Sequence, residues 1–434
     1  VMASAILVFA LSLVPLFFIG RAFLPAFNEG SLTVLTATAP GTSLEKSMEM
    51  GTRIEQMLLG HPNVKLTLRK TGRGELDEHG KPLHMSEIDV KLEMKERKLH
   101  DVLAELRQSV GAVPGVIVTF GQPISHRIDH MLSGSTTNLA VKIFGPNLFQ
   151  LRAIAEDVRG EMGQVPGIAD LSVEQQTDIP QIRIVPKRAE LARYGMSVAD
   201  VAVAAEVAMY GKVVSRTLEG DRGFDIMVRF ADYDKRDMDS LRSTLIDAPG
   251  GVKIPLSALA EITSAKGPNN IGRENVQRKL VVQANVAGGD LRGVFEGVKN
   301  RVEKNLTLPR GYFIEYGGQF QSEAEASRAI SLLSILSLLA IFFILYMEFR
   351  NIRTSLLLMV NLPLALIGGI IVILLTDRVI SIASIVGFIT LFGIATRNGI
   401  LLVSHYLHLM GGEGLPLKEA CLLYTSDAAD EEDS

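Results

Sequence analysis

Tryptophan is missing from this chain, cysteine occurs once, and aromatic residues make up 6% of its 434 positions. A single cysteine excludes a disulfide framework, and so few aromatics argue against a large aromatic-lined pocket for apolar ligands. Excess positive charge is missing too. The net charge is −4, and without a basic, aromatic-studded stripe the chain is not expected to bind nucleic acid. There is no glycine-rich P-loop, so nucleotide hydrolysis has no seat, and nothing in the pattern suggests an enzyme or a bound cofactor.

Charge is absent in another sense. Residues 1–20, 329–346 and 354–376 carry no charged side chain, and each is long enough to cross a hydrocarbon layer. The first lacks the basic start and small-residue cleavage motif of a signal peptide, so it reads as a span. A fourth apolar run, 379–409, holds Arg397 near its centre. A cation at that depth is costly, faces a counter-charge or water, and is usually functional. The visible spans contain no carboxylate. Its partner is therefore expected elsewhere, unless Arg397 sits at a helix end and snorkels.

Between the first two spans lie some 300 residues of soluble character. Four times a helical pattern meets a proline-marked turn and then a strand, at His61-Pro62-Asn63-Val64, Val113-Pro114-Gly115-Val116, Val165-Pro166-Gly167-Ile168 and Leu308-Pro309-Arg310-Gly311. Proline ends the helix and the small polar or glycine residue turns the chain. With strands expected at 31–39, 87–94, 139–144 and 279–287, the block reads as two α+β units of split βαβ type. The first covers 29–122. The second covers 135–177 and 268–318, with a lobe of different texture, 178–267, inserted in it. Ser197 is expected to cap a helix there.

The loop 347–353 carries Arg350 and Arg353 against Glu348, which places it in the cytoplasm and the 300-residue body on the other side. Asn361, Pro363 and the pair Gly368-Gly369 permit a kink and close helix contact in the third span. From Cys421 the text Cys-Leu-Leu-Tyr-Thr-Ser-Asp-Ala-Ala-Asp-Glu resembles read-through of a sequencing adaptor, so 421–434 is expected to be foreign.

Candidate metal ligands cluster in the first unit. Along 85–92, alternation sets Ile88, Val90 and Leu92 on a core face and Met85, Glu87 and Asp89 on the other, with His84 just before. His126 and His130 are four apart, one helical turn, and so share a face.

The ordered segments Phe23-Leu24-Pro25, Asn28-Glu29-Gly30, Pro40-Gly41-Thr42-Ser43, Arg193-Tyr194-Gly195-Met196, Tyr346 to Arg350 and Pro363 to Gly369 carry a resemblance. Over residues 1 to about 420 the chain resembles the C-terminal half of a resistance-nodulation-division (RND) exporter, specifically the heavy-metal branch. The resemblance implies a fold of transmembrane helices plus a periplasmic porter domain of two split βαβ subdomains with an inserted docking lobe. It implies an inner-membrane, proton-driven antiporter that forms a homotrimer and works with a periplasmic adaptor protein and an outer-membrane channel. It also implies acidic relay partners for Arg397 in a missing N-terminal half. Copper and silver pumps of that branch use three methionines and a glutamate, which align here with Leu35, Met85, His130 and Glu87. One thioether of three remains. Imidazole and carboxylate suit zinc, cobalt, nickel or cadmium better than monovalent copper, so a divalent metal ion is the expected substrate, with Met131 beside His130 keeping copper or silver open. The alternative is a multidrug exporter of the same superfamily.

Overall fold

A computed structural model of the chain describes residues 19–23, 28–72, 82–95, 97–111, 113–133, 137–231, 238–287, 290–376, 378–412 and 416; the side chains of residues 126, 129, 130, 132, 133 and 412 are not among those described. Most of the expected first span and the whole of 421–434 fall outside this set. The chain divides into two compact units, Gln176–Asn270 and the remainder.

In the larger unit a short strand β1 (Gly20–Ala22) precedes a four-stranded antiparallel sheet of β2 (Ser31–Ala37), β3 (Val64–Thr71), β4 (Met85–Leu92) and β5 (Ile117–Gly121), in the order β3-β4-β2-β5. Helix α1 (Leu44–Leu59) joins β2 to β3, and α2 (Leu99–Val110) joins β4 to β5. The Ser43 hydroxyl accepts from the Lys46 amide to start α1, satisfying one of the orphan donors of its first turn. Met50, Ile54 and Leu58 recur every four residues along α1, as do Val102, Leu106 and Val110 along α2. These stripes bury against Leu32, Val34, Ile88 and Val90 of the sheet.

The pattern then repeats. After α3 (Pro123–Ser133) come β6 (Leu139–Phe144), α4 (Leu148–Met162) and β7 (Ile168–Val173). Further along the chain, β15 (Gln277–Val286), α9 (Leu291–Asn305) and β16 (Phe313–Gly318) complete the second sheet. Here β15 lies between β6 and β7, and β16 pairs on the outer side of β6. The inserted strand β4 lies between β2 and β3 in the same way. The core comprises Leu139, Val141 and Ile143 from β6 against Leu151, Val158, Val298 and Val302 from the two helices.

One polar network ties the sheets together. Asp170 on β7 accepts from Arg107 Nε at 3.0 Å and Nη2 at 2.9 Å, and from Asn285 Nδ2 at 2.8 Å. The Phe120 amide on β5 also donates to it at 3.4 Å.

The smaller unit contains β8 (Asp178–Pro186), α5 (Arg188–Arg193), α6 (Val198–Met209), the hairpin β9 (Lys212–Glu219) and β10 (Arg222–Val228), then α7 (Met238–Ser243), β11 (Leu245–Asp247), β12 (Lys253–Pro255), α8 (Leu256–Leu259) and β13 (Ala260–Pro268). β13 pairs antiparallel with the whole of β8, and Leu191, Val201, Leu256, Leu259 and Ile262 form the core. Ser197 caps α6 in a reciprocal capping box with Asp200. Every residue of β9 is exposed.

Back in the larger unit, the short β14 (Arg273–Glu274) forms a hairpin with β15, and three helices long and apolar enough to cross a membrane follow β16. The first, α10 (Gln319–Phe349), starts ten positions before the apolar run that announced it at 329. Its 31 residues span about 46 Å at 1.5 Å per residue, more than a hydrocarbon core of roughly 30 Å. The reason is local propensity: Gln319, Gln321, Glu323, Ala324, Glu325 and Ala326 favour helix in water as well as in lipid. The second crossing is broken at Val360 into α11 (Ile352–Met359) and α12 (Asn361–Leu375). Pro363 falls in the first turn of α12, where no backbone donor is needed. The fourth apolar run is corrected at its start. Val379–Ser381 form a strand, β17, paired parallel with β1, and helix α13 begins only at Ile382 and runs to Gly412. β-branched residues followed by a serine that caps the helix favour that break. A Cβ on Gly369 would lie 2.4 Å from the Phe388 ring, and one on Gly399 2.9 Å from Leu358, so glycine permits close helix contact at both crossings.

Candidate functional site

Strand β4 alternates as its sequence requires: Ser86, Ile88, Val90 and Leu92 are buried, while Met85, Glu87 and Asp89 lie half-buried on the opposite face. The register fixes their neighbours. Leu35 of β2 and Lys70 of β3 stand opposite Glu87, and Ala37 stands opposite Met85. Cross-strand partners share a face, so Leu35 and Glu87 project from the sheet side by side. On β5, Thr119 pairs with Leu35. Asp89 is already engaged: Thr33 Oγ1 donates to it at 3.3 Å and Lys70 Nζ lies 3.9 Å away.

His84 leads into the strand, and its carbonyl accepts from the Thr38 amide at 2.9 Å and hydroxyl at 3.1 Å. Burial holds its imidazole below the ordinary histidine range. The neutral ring is the form that ligates a metal.

His126 and His130 lie on α3, which packs against β2, β16 and α10. Their helix is thus beside the strand that carries Leu35, while their side chains lie outside the described set. Among the described residues no group of three or more histidine, cysteine or carboxylate side chains closes around one point.

Glu29 was not among the sequence candidates, yet it anchors α3. Its carboxylate accepts from the Ile124 amide at 2.8 Å and the Ser125 amide at 3.2 Å, the placement that satisfies a helix N-terminus and its dipole. The pairing spans more than ninety residues of sequence. The segment Asn28-Glu29-Gly30 singled the residue out without indicating what it does.

Arg397 lies midway along α13, equally far in sequence from Ile382 and Gly412. That removes the reading of a helix-end residue. Among the described residues it has no ion-pair partner.

A split βαβ pair, an inserted lobe and long apolar helices together define a membrane transporter architecture. The chain matches the AcrB/AcrD/AcrF family over residues 1–426, and it belongs to that family, within the RND superfamily. It is 32% identical over 414 residues to the cation efflux system protein CzcA of Alcaligenes sp. (strain CT14), covering 93% of this chain and 39% of the relative. It is 28% identical over 414 residues to the cation efflux system protein CusA of Escherichia coli (strain K12), with the same two coverages. Among solved structures it is similar to an X-ray crystal structure of a heavy metal efflux pump, with TM-score 0.81 and 28% identity, over 93% of this chain and 42% of that one. The chain thus spans about two fifths of the length of these relatives.

Proposed function

We propose that the chain, over residues 1 to about 420, is part of a proton-driven exporter of heavy-metal cations in a bacterial inner membrane. In this reading the two sheets are porter subdomains on the periplasmic side, and Gln176–Asn270 is a docking lobe. The cargo is a divalent ion such as zinc, cobalt, nickel or cadmium. The observation that carries this is the face of β4, where Met85 and Glu87 project beside Leu35 of β2, the strand against which the helix bearing His126 and His130 packs. One thioether, carboxylate and imidazoles make a borderline ligand set, better matched to a divalent ion than to copper(I). Asp89, committed to Thr33 and Lys70, and His84, at the end of the strand, supply a second tier.

The protein works as a homotrimer with an adaptor and an outer-membrane channel. The hairpin β9–β10 supports this, because its exposed Val214, Leu218, Phe224 and Ile226 need a partner surface that an isolated two-stranded ribbon lacks. Coupling passes through Arg397 and carboxylates on a span outside this chain, whose protonation alternates against the fixed cation.

Titration of the full transporter with zinc, cobalt, nickel and copper(I) tests the site. Glu87→Gln with His130→Ala is expected to weaken zinc binding on the order of tenfold or more, and unchanged affinity refutes it. Arg397→Ala is expected to abolish metal resistance while leaving zinc affinity intact; retained resistance rules out the coupling role.

A further inference from the structure

At the junction where α10 meets the extramembrane body, a cleft of about 580 Å3 opens between β1, α9 and the first turns of α10. Its lining brings together Arg21, Arg292, Lys299 and Arg328, beside the stacked rings of Phe295 and Phe320, and includes no acidic side chain among the described residues. Glu323 on α10 accepts from the lining Ser327 hydroxyl at 3.0 Å, and two carboxylates on α9 bind the lining cations loosely. Glu296 lies 3.6 Å from Arg292 and Glu303 lies 3.9 Å from Lys299, each one turn along the same helix. Arg21 and Arg328 have no ion-pair partner among the described residues. Four converging cations repel one another unless an anion joins them.

Location identifies the anion. Ala324, Ser327, Arg328 and Ser331 follow one another at helical spacing along the cleft wall. Arg328 is the last charged residue before the apolar run of α10. Immediately beyond it Leu332, Ile335, Leu336 and Leu339 are exposed on the same helix. Arginines at the end of a span lie at headgroup depth, and guanidinium groups grip phosphate oxygens through paired N–H donors. A free phosphate would use the charges alone. A phospholipid would use the charges for its headgroup and the leucine-rich stretch of α10 for its chains.

We propose that this cleft binds the phosphate headgroup of an anionic phospholipid, with the acyl chains laid along α10. The site does not depend on the metal reading, since it shares no residue with the face of β4.

The test uses the full-length protein in nanodiscs of phosphatidylcholine doped with phosphatidylglycerol, followed by extraction and native mass spectrometry of retained lipid. Phosphatidylglycerol is expected to be retained over phosphatidylcholine on the order of tenfold. The preference is expected to vanish in Arg21→Gln/Arg328→Gln, at two exposed side chains, and to survive in Arg21→Lys/Arg328→Lys, which keeps the charge. Millimolar inorganic phosphate is expected to leave the lipid in place. Equal retention of the two lipids, or a preference indifferent to the glutamine pair, overturns the proposal. Displacement by inorganic phosphate assigns the cleft to a free anion and overturns the lipid assignment.

Discussion

The two sheets of the larger unit share strand order and helix placement, yet the faces turned away from their crossover helices are chemically unlike. On the second sheet Glu274 is clasped by Lys142 at 3.0 Å and also by Lys279. Those two cations, the Lys279 hydrogen bond foremost, hold its carboxyl below the usual range. On the first sheet the matching surface presents Met85, Glu87 and Asp89, and the lysine nearest Asp89 stays 3.9 Å away. Backbone topology therefore does not decide where a cation could bind. What differs is which side chains the shared topology displays and how closely a lysine approaches the acid.

The largest expected effect concerns the network that joins the sheets. Asp170→Ala removes the acceptor of Arg107, Asn285 and the Phe120 amide together. Breaking a buried pair from one side costs about 3–5 kcal/mol. Asp170 is 5% exposed but Arg107 is 26% exposed and can turn to water, so the lower end, about 3 kcal/mol, is expected in thermal unfolding. A loss below about 1 kcal/mol would mean the sheets are held by apolar packing alone.

Next in size is a direct exchange between the two faces. Glu87→Gln is expected to weaken zinc binding on the order of tenfold, whereas Glu274→Gln, which strips the acid from between two lysines, should leave zinc affinity unchanged. Equal losses in calorimetric titration would erase the contrast between the sheets.

A smaller substitution sharpens the first face. Leu35→Met places a second thioether opposite Glu87 in register. Leucine and methionine are close in volume, so the stability cost stays under about 1.5 kcal/mol. Copper(I) affinity is expected to rise relative to zinc because soft sulfur favours it. Unchanged affinity for both ions would place Leu35 outside the ligand sphere.

Much of this contrast was legible in the residues. The strand expected at 139–144 coincides with β6, and the alternation along β4 set Met85, Glu87 and Asp89 on one face, because period two is a local signal. All four proline-marked turns link a helix to a strand. What escaped was non-local. β17 pairs with β1 across nearly the whole chain, so its apolar residues read as the start of a span. Glu29 reaches α3 from more than ninety residues away. The polar start of α10 was invisible to a reading based on apolarity.

The smallest effect separates the sheets by the sign of their acid response. In the first, Arg97, and after it His61, hold the Glu105 carboxyl down at about 2. A carboxylate with a depressed folded value binds fewer protons folded than unfolded, so its contribution is complete above about 4.5 and disappears as pH falls toward about 2. In the second, burial pushes Glu174 up, against the Val281 amide that donates to it at 3.3 Å. Its folded state holds the proton more tightly, so its contribution is complete below the ordinary glutamate value and is lost as pH rises through the raised one. Glu105→Gln should therefore lower stability at neutral pH, with the difference closing on acidification and shrinking in high salt because the side chain is 48% exposed. Glu174→Gln should instead raise neutral stability, again with the difference closing in acid. Denaturant midpoints of both variants followed from pH 7 to pH 2 check the opposition, and changes of the same sign at neutral pH would show that burial does not govern Glu174.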